Sequence, residues 1–340
     1  MAEGSGSYEA AGVSIERGGR AVDLMRLAVE ATQGPEVIGG PGGFAGLYAL
    51  AGLRDPVLAS TIDGIGTKVL VAREVGRYDT LGHDIVNHCA NDVLATGARP
   101  LFFLDYVGTG RLDPEAVAAM VRGAAEACRR LGVALVGGET AEMPGLYGEG
   151  DFDVVGVCTG ACERDEVVTG EGVRPGDAVI CMPSSGLHTN GYTLARKVLA
   201  DANVSFADTP ERLGRPVGEV YLEPHWAYVR EMGILREGVE VRGMAHITGG
   251  GLVDNLPRAL GGLGAKLDPG SWEEPAVFGL VRSLGDIPED EMRRVFNLGV
   301  GFCAVVAPED ADRAVETLRA AGCDAREIGA VVDEPGVRFA

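Results

Sequence analysis

The sequence is poor in lysine and has no run of basic residues longer than two. Of its 30 basic side chains only Lys68, Lys197 and Lys266 are lysines, and 50 acidic residues bring the net charge to −20. A surface of this charge repels polyanions. We therefore predict that the protein binds neither nucleic acid nor an anionic membrane.

Long apolar runs and targeting signals are also missing. No apolar run reaches about 18 residues, the minimum for a membrane-spanning helix. The start of the chain, MAEGSGSYEAAGV, has neither the basic region nor the apolar centre of a secretory signal peptide. No two cysteines have the spacing Cys-x-x-Cys. We expect a cytoplasmic protein without a membrane partner, in which the seven cysteines are buried free thiols.

One segment has the residue types of a nucleotide-binding motif but matches none of the usual patterns. DGIGTK, residues 63–68, follows the apolar segment PVLAST, but the chain contains no Gly-Lys pair and hence no P-loop. The segment also fails the Rossmann pattern G-x-G-x-x-G. It offers an acid at the end of a predicted strand, two glycines, a hydroxyl and an ammonium group. These residues fit either a rearranged phosphate and metal site or an ordinary capped turn.

Glycine, in contrast, is abundant, and its 52 residues are roughly twice the usual share. The chain length suits two domains. We expect a mobile arm over residues 1–20, a first domain over 21–169 and a second over 170–340, with the boundary at the turn-rich segment TGEGVRPGD. Predicted strands and helices alternate in both halves, which indicates an α/β (α+β) fold.

One helix is predicted with defined ends. Asp113 can cap it, Pro114 suits its first turn, and Gly132 follows its last residue, Leu131. The apolar run from Pro100 to Val107 predicts a buried strand. Other helices are expected over 22–32, 82–97, 192–200, 273–284 and 309–321, and strands over 178–182, 241–247 and 301–306.

Four further clusters of polar residues and glycine follow predicted strands or lie beside predicted helices. A turn, a helix cap or a structural histidine explains each cluster taken alone. Taken together, they bring N–H groups and acids to the edge where α/β sheets bind phosphates. Because Mg²⁺ prefers oxygen ligands and bridges nucleotide phosphates, their acids and Asp63 predict a site for ATP and magnesium. The clusters are NHCAND (Asn91, Asp92), VGGETAEMPG (Gly137, Gly138, Glu139, Thr140), SSGLHTNG (Ser185, His188, Asn190) and AHITGGG (His246, Thr248, Gly249, Gly250).

Longer segments around these clusters resemble a known family, in order along nearly the whole chain. They are GGPGGFAGLYAL, TIDGIGTK, CANDVLATGARPLFFLDY, LVGGETAEMPGLY, SSGLHTNGYTLARKVL, AHITGGGLVDNLPR and FNLGVGF. The sequence resembles the phosphoribosylformylglycinamidine cyclo-ligases, or aminoimidazole ribonucleotide synthetases. The resemblance implies two α/β domains, with the first-domain sheet completed across a homodimer. It also implies ATP-dependent cyclisation of formylglycinamidine ribonucleotide to aminoimidazole ribonucleotide, the fifth step of purine synthesis.

The resemblance implies roles for individual residues. Asp63, Asp92 and Glu139 are expected to bind Mg²⁺, and K⁺ is left open as a second cation. Catalysis is expected from Lys68, His188 and Asn190. The residues expected to bind ATP are Asp63, Gly64, Gly66, Thr67, Lys68, Asn91, Asp92, Gly137, Gly138, Glu139 and Thr140. The residues expected to bind the substrate are Ser185, His188, Asn190, His246, Thr248, Gly249 and Gly250.

Two alternatives stay open. The first is another ATP-using enzyme of the same superfamily. Selenophosphate synthetase is expected to have a reactive cysteine near its start, yet the first cysteine here is Cys89, and thiamine-monophosphate kinase is not expected to combine GGETAEMPG with SSGLHTNGY. The second is a catalytically inactive ATP-binding scaffold. Such a protein is expected to have lost an acid or a glycine from these motifs, and none is lost, so we predict an enzyme.

Overall fold

Each half of the chain is built on its own β-sheet. The structure, a computed structural model, describes residues 11–40 and 43–340. The main sheet of the first half ends at Glu163, and the sheet of the second half begins at Ala178. The predicted boundary at residue 170 lies within this interval. Helices pack on both sheets, and the predicted α/β class is confirmed.

Within residues 11–40 and 43–166, the first domain contains a four-stranded sheet, a short hairpin and four α-helices. Its strands are β1 (Val37–Ile38), β2 (Leu47–Tyr48), β3 (Pro56–Gly64), β4 (Arg99–Thr109), β5 (Ala134–Glu142) and β6 (Phe152–Glu163). Its helices are α1 (Ile15–Glu30), α2 (Lys68–Val75), α3 (Asp79–Ala95) and α4 (Pro114–Leu131), followed by a 3₁₀ turn at Arg164–Glu166.

The strand order in the first sheet is β3-β6-β4-β5. Strand β6 is antiparallel to both of its neighbours, whereas β4 and β5 are parallel. Helix α3 packs against β3 and β6, α4 packs against α3 and the other two strands, and α1 packs against α4. One face of the sheet is therefore covered by helices, and we call it the inner face.

Helix α4 has the bounds predicted from the sequence. The Asp113 carboxylate accepts hydrogen bonds from the backbone N–H groups of Glu115 and Ala116, which satisfies donors that have no partner inside the helix. Gly132 ends the helix with φ of +66°, in the left-handed region that favours glycine. The local cap chemistry explains why this prediction was correct at both ends.

Helices α3 and α4 cross closely at two glycines. A β-carbon on Gly82 would lie 2.0 Å from the Met120 carbonyl oxygen, and one on Gly123 would lie 2.0 Å from the Asp79 carbonyl oxygen. Neither helix can move away freely, because their buried side chains belong to one core. This crossing fixes the position of α3, which carries part of the site described below.

The outer face of the first sheet has apolar side chains in contact with solvent. Leu58 and Ile62 of the edge strand β3 are 61% and 67% exposed. Pairing places Val157 of β6 beside Ile62, and Leu104 and Tyr106 follow on β4; all three are half-buried. Exposed apolar area of this extent on a sheet is typical of a protein interface.

The second domain has a six-stranded sheet and seven α-helices. Its strands, β7 (Ala178–Pro183), β8 (Val241–His246), β9 (Gly264–Leu267), β10 (Val300–Val306), β11 (Arg326–Val332) and β12 (Gly336–Phe339), lie in the order β12-β9-β11-β7-β10-β8. Its helices are α5 (Tyr192–Asp201), α6 (Val217–Tyr221), α7 (Val229–Arg236), α8 (Gly251–Asn255), α9 (Ala276–Gly285), α10 (Glu289–Val295) and α11 (Ala311–Ala320). Three 3₁₀ turns occupy Leu256–Ala259, Pro269–Ser271 and Pro308–Asp310.

The N-terminal prediction needs a correction. Residues 1–10 of the predicted mobile arm lie outside the described residues, but residues 15–20 are helical. Helix α1 begins at Ile15, earlier than the predicted start at residue 22, because the Ser14 hydroxyl accepts the backbone N–H of Arg17. The Ser14 N–H and the Arg17 guanidinium both bind the carboxylate of Glu142 at the end of β5. A contact more than a hundred residues away thus anchors a segment that looks featureless in the sequence.

Six of the seven cysteines agree with the prediction of buried free thiols, and Cys323 does not. All are free; six are buried and Cys323 is half-buried. Among the described residues, no helix is both long and apolar enough to cross a membrane.

Candidate active site

A cavity of about 500 Å³ lies between the two domains. From the first domain, the ends of β3 and α3 contribute to its wall. The second domain contributes the end of β8 and the glycine-rich segment after it. The polar residues that line it include Thr61, Asp63, His88, Asp92, His246, Thr248, Asn255 and Arg258. Two predicted magnesium ligands and two predicted substrate-binding residues therefore meet in one place.

Local geometry explains how the first domain presents its acids. Strand β3 alternates between its faces, so Asp63 points to the inner face while Ile62 points outward. His88 and Asp92 are four residues apart on α3 and thus share a face of the helix. Asp63 and Asp92 keep 41% and 30% of their side-chain surfaces exposed. Each carboxylate can therefore contact a molecule in the cavity.

Four of the five histidines of the chain form one cluster beside these acids: His88, His188, His225 and His246. His88 Nε2 lies 2.8 Å from Asp63 Oδ2, and His246 Nδ1 lies 2.8 Å from Asp92 Oδ1.

A hydrogen-bonded path links the two acids through the cluster. His88 Nδ1 lies 2.7 Å from the Thr189 hydroxyl, which lies 3.3 Å from His225 Nδ1. His225 Nε2 lies 2.9 Å from His246 Nε2. The path runs from Asp63 to Asp92 and crosses from the first domain to the second and back.

The charges within the cluster follow from burial and from the acids. Burial raises the pKa of Asp63, but the hydrogen bond and the charge of His88 hold that pKa below its ordinary value. Burial lowers the pKa of His88, but the hydrogen bond that His88 donates to Asp63 and the charges of Asp63 and Asp92 bring that pKa above its ordinary value. Burial keeps the pKa of His246 below its ordinary value although it contacts Asp92. His88 is thus the histidine of the cluster that holds a proton most readily.

The placement of His188 disagrees with its predicted role as an acid or base facing the substrate. Its ring is 1% exposed, stacks on His225 with centroids 3.9 Å apart, and accepts the backbone N–H of Ser185 at Nε2. Burial lowers its pKa well below the ordinary value, so the ring is neutral. Its backbone has a φ of +59°, which is costly for a residue with a side chain. The His188 side chain thus holds the backbone of Ser185 in place and does not line the cavity.

The placement of Lys68 also disagrees with its prediction. Its ammonium group is fully buried and donates to Asp84 and to the carbonyl oxygens of His188 and Glu223. Burial lowers the pKa of Lys68 and raises that of Asp84, and their contact opposes both shifts. Its three N–H donors are already used, so it cannot hold a phosphate. Lys68 instead joins α2 and α3 to the second domain.

The third predicted magnesium ligand lies away from the other two. Pairing aligns Asp63 with Gly156, Asp105 and Gly138 across the four strands. Three strand spacings of about 4.8 Å separate β3 from β5, or some 14 Å. Glu139 follows Gly138 and therefore points to the outer face. Within one protomer, Glu139 cannot share a metal ion with Asp63 and Asp92.

Residues 137–140 line a second cavity, of about 650 Å³, between α1, β5 and the glycine-rich segment 43–46. Glycine is favoured at position 138 because a β-carbon would lie 2.9 Å from the Asp105 carbonyl oxygen, as well as 2.4 Å from Asp105 Oδ1. Burial raises the pKa of Asp105 to about 7. The predicted ATP-binding residues are thus divided between two cavities.

Of the remaining predicted residues, Thr248 lines the interdomain cavity and the others do not. Thr67, after Gly64 and Gly66, contacts the Thr193 hydroxyl at 3.0 Å. Asn91 is buried, and its side-chain amide binds the backbone of Trp226 and Tyr228. Ser185 donates to the Pro224 carbonyl, Thr248 contacts Asn255, Asn190 lies beside Gly249, and Gly250 has a φ of +99°.

Sequence reasoning missed His88, His225 and Arg258 as members or neighbours of the site. The only sequence signal for His88 and His225 is that the chain has just five histidines. Their association depends on folding, since His88 and His225 belong to different domains. Arg258 ends the segment AHITGGGLVDNLPR, which carries part of the family resemblance, but no role was predicted for it.

Comparison with known proteins identifies the chain's relatives. A family model described as "AIR synthase related protein, N-terminal domain" matches residues 45–162, and the corresponding C-terminal domain model matches residues 174–340. A phosphoribosylformylglycinamidine cyclo-ligase of Sorangium cellulosum is 49% identical over 338 residues, which is 98% of this chain and 97% of that one. One from Gloeobacter violaceus is 47% identical over 335 residues, or 98% and 99% of the two chains. The chain belongs to the phosphoribosylformylglycinamidine cyclo-ligase family.

A solved structure shares the fold at lower identity. Hydrogenase maturation protein HypE in complex with ATP superposes with a TM-score of 0.62 at 20% identity, covering 99% of this chain and 92% of that one. The cyclo-ligase family assignment therefore rests on sequence, and the structural likeness supports the fold.

Proposed function

We propose that this chain catalyses the reaction named by its family, the ATP-dependent closure of formylglycinamidine ribonucleotide to 5-aminoimidazole ribonucleotide. Membership of the family, at 47–49% identity over nearly the whole chain, is the observation that carries this conclusion. The use of ATP agrees with the ATP complex of the structural relative HypE. The products are ADP and phosphate. We also propose that the reaction takes place in the cytoplasm.

The chemistry requires activation of a poor leaving group. The formyl amide oxygen attacks the γ-phosphorus of ATP, and the bond from that phosphorus to the ADP oxygen breaks. The amidine nitrogen then attacks the activated carbon, the C–O bond breaks, phosphate leaves, and the nitrogen loses a proton. Because both reacting groups belong to one substrate, positioning and charge stabilisation contribute most of the catalysis.

The interdomain cavity is the proposed place of reaction. Its acids, Asp63 and Asp92, are partly exposed carboxylates whose pKa values are held low, and such groups fit a magnesium ion. When bound, Mg²⁺ neutralises charge on the transferring phosphoryl group. Arg258 and Thr248 also line the cavity, and we assign the ribose phosphate of the substrate to them. We also propose that Asn190, next to Gly249, orients the substrate. A requirement for K⁺ remains a prediction.

A homodimer is part of the proposal. The outer face of the first sheet, with Leu58 and Ile62 exposed, fits a second copy of the same face. Glu139 also lies on this outer face, so a second copy would cover it. The resemblance to the family favours this arrangement.

The proposed function is tested with purified protein, formylglycinamidine ribonucleotide, ATP and Mg²⁺, by measuring ADP, phosphate and aminoimidazole ribonucleotide. We expect one ADP and one phosphate for each ring closed. Asp63→Asn is expected to lower kcat at least ~100-fold, because it removes charge aimed at the metal and phosphate, with an unchanged circular dichroism spectrum. Near-normal turnover in Asp63→Asn would remove this residue from the site. ATP binding without ring closure in the wild type would indicate a scaffold or another activity.

A further inference from the structure

Thr189 lies among the clustered histidines but is not one of the residues expected to bind ATP or the substrate. It belongs to the second domain, between β7 and α5, and is 8% exposed. Its hydroxyl lies 2.7 Å from Nδ1 of His88, which belongs to the first domain. The same oxygen accepts the side-chain amide of Asn190 at 3.3 Å. One buried hydroxyl therefore connects the two domains beside the candidate active site.

The position of Thr189 relative to α3 is fixed by a neighbouring contact. The Lys68 ammonium group donates to the carbonyl oxygen of His188, the residue before Thr189, at 3.0 Å. It also donates to Asp84 at 2.8 Å. Asp84 and His88 are four residues apart on α3 and share a face of that helix. The backbone that carries the Thr189 hydroxyl is thus tied, through Lys68, to the helix that carries its partner.

The distances along the path from Asp63 to Asp92 indicate where its protons lie. The path has five contacts, and three neutral histidines and one hydroxyl supply four protons. The two ionised carboxylates only accept hydrogen bonds. Four of the contacts measure 2.7–2.9 Å, whereas Thr189 and His225 are 3.3 Å apart. The four protons therefore belong to the four short contacts, and the path divides between Thr189 and His225.

The half of the path that includes Thr189 ends at Asp63. The Thr189 hydroxyl donates to His88 Nδ1, and His88 Nε2 donates to Asp63 Oδ2 at 2.8 Å. Asp63 Oδ1 accepts the backbone N–H of Gly64 at 2.7 Å. Hydrogen bonds thus orient both carboxylate oxygens, and each oxygen keeps a lone pair for a molecule in the cavity. In the charged form of His88, Nδ1 donates to Thr189 instead, so these two groups stay paired in either form.

We propose that Thr189 is a positioning residue for Asp63 and acts through His88. A ring held only at Nε2 can swing about that contact, whereas a ring held at both nitrogens has a fixed plane. Hydrogen-bonding partners behind a metal-binding carboxylate set its orientation in this way. Because Thr189 and His88 belong to different domains, the orientation of Asp63 depends on the docking of the two domains. The inference deepens the proposed function and rests on it only for what Asp63 binds, which is magnesium-bound ATP.

The hydrogen bond is tested by NMR of isotope-labelled histidine nitrogens, in full-length protein free of ATP and metal. Thr189→Val removes the hydroxyl and keeps the shape of the side chain, and Thr189→Ser keeps the hydroxyl. At about pH 9, well above the ordinary pKa of histidine, the His88 Nδ1 resonance should move towards that of an unbonded ring nitrogen in Thr189→Val. It should stay in place in Thr189→Ser. His88→Gln assigns the resonance by removing it.

A matched control removes a different buried hydroxyl from the same region. Thr80 lies in the first turn of α3, is fully buried, and its hydroxyl has no hydrogen-bond partner among the described residues. Thr80→Val should therefore leave the His88 resonance unchanged. Circular dichroism and thermal unfolding show that each variant is folded at the assay temperature. Thr189→Ala provides a second removal of the Thr189 hydroxyl if Thr189→Val is unfolded.

The effect on the site is measured with the same variants. Thr189→Val is expected to weaken the binding of magnesium-bound ATP, followed by calorimetry, and to lower kcat for ring closure, each about 10-fold. Thr189→Ser should recover most of both losses, and Thr80→Val should show neither. A hydroxyl that only stabilised the fold would change Tm and leave the affinity and kcat of the folded enzyme as they are.

Three outcomes would overturn the inference. They are an unchanged His88 Nδ1 resonance in folded Thr189→Val, an unchanged affinity and kcat in that variant, and an equal loss in Thr189→Ser. Failure of the proposed function is a separate result. If the wild type binds magnesium-bound ATP but closes no ring, the proposed function is wrong, while the resonance and the affinity still decide whether Thr189 positions Asp63.

Discussion

At the scale of single residues, burial separates side chains that bind ligands from side chains that hold the fold. Lys68 and Asp63 stand in one motif, DGIGTK, and the sequence assigns both to phosphate and metal. In the structure Asp63 is open to the cavity while Lys68 is fully buried against Asp84. The difference arises from partners far away in the chain, including the carbonyl of Glu223, and no local pattern reports them.

Replacing Lys68 should therefore destabilise the fold. We expect Lys68→Met to lower the free energy of unfolding by about 3–5 kcal/mol, because it leaves Asp84 buried without a counter-charge. The double variant Lys68→Met/Asp84→Leu should recover most of this loss. Lys197→Met, which breaks an exposed pair with Asp201, should cost less than about 0.5 kcal/mol. Urea unfolding measures all three; an unchanged stability with a raised KM for ATP in Lys68→Met would restore its predicted role at the phosphate.

Asp105 should make stability depend on pH. Its pKa in the folded protein is about 7, above that of an unfolded aspartate, so the folded state holds a proton that the unfolded state has released. Stability should consequently fall as pH rises from 4 to 7. Asp105→Asn does not lose stability in this way. The Tm of Asp105→Asn relative to that of wild type should therefore rise by roughly 3–6 °C from pH 4 to pH 8. Asp312→Asn, on the exposed face of α11, controls for removal of one charge, and a constant difference in Tm between Asp105→Asn and wild type would contradict the argument.

At the scale of elements, local chemistry accounts for what could be predicted. Helix α4 has its predicted ends because Asp113 and Gly132 define both of them within a few residues. Helix α1 starts seven residues before its predicted start because its first turn depends on Glu142, which is distant in sequence. Helix α3 carries three polar site residues, and only its packing shows which of them face the cavity.

The crossing of α3 and α4 can be tested at its glycines. Gly82→Ala should lower the free energy of unfolding by roughly 2–4 kcal/mol, since its β-carbon would overlap the backbone of α4. Gly233 lies on the exposed face of α7 with open space around it, and Gly233→Ala should stabilise by about 0.5–1 kcal/mol through helix propensity. Chemical unfolding compares the two variants. Equal effects on the free energy of unfolding would mean that α3 and α4 can move apart without a loss of stability.

At the scale of the whole molecule, the site is an assembly of distant segments. The sequence motifs predicted most of the segments that form the site. They did not predict which cavity each segment lines, because that depends on the order of the strands in the sheet. Glu139 and Asp63 follow similar patterns after strands, yet they lie at opposite edges and opposite faces of the first sheet. His225 joins the site only through the packing of the second domain against α3.

The outer face of the first sheet should determine the oligomeric state. If two copies join through this face, the wild type should sediment as a dimer, and added salt should strengthen association because each copy carries a charge of −20. Ile62→Asp places a charge on the apolar face and should weaken dimerisation at least ~100-fold, since a charge buried there has no partner. Leu284→Asp, an equally drastic change at an exposed apolar residue of α9 in the second domain, should leave the dimer intact. Sedimentation equilibrium measures each variant, and a dimer that persists in folded Ile62→Asp would move the interface to another surface.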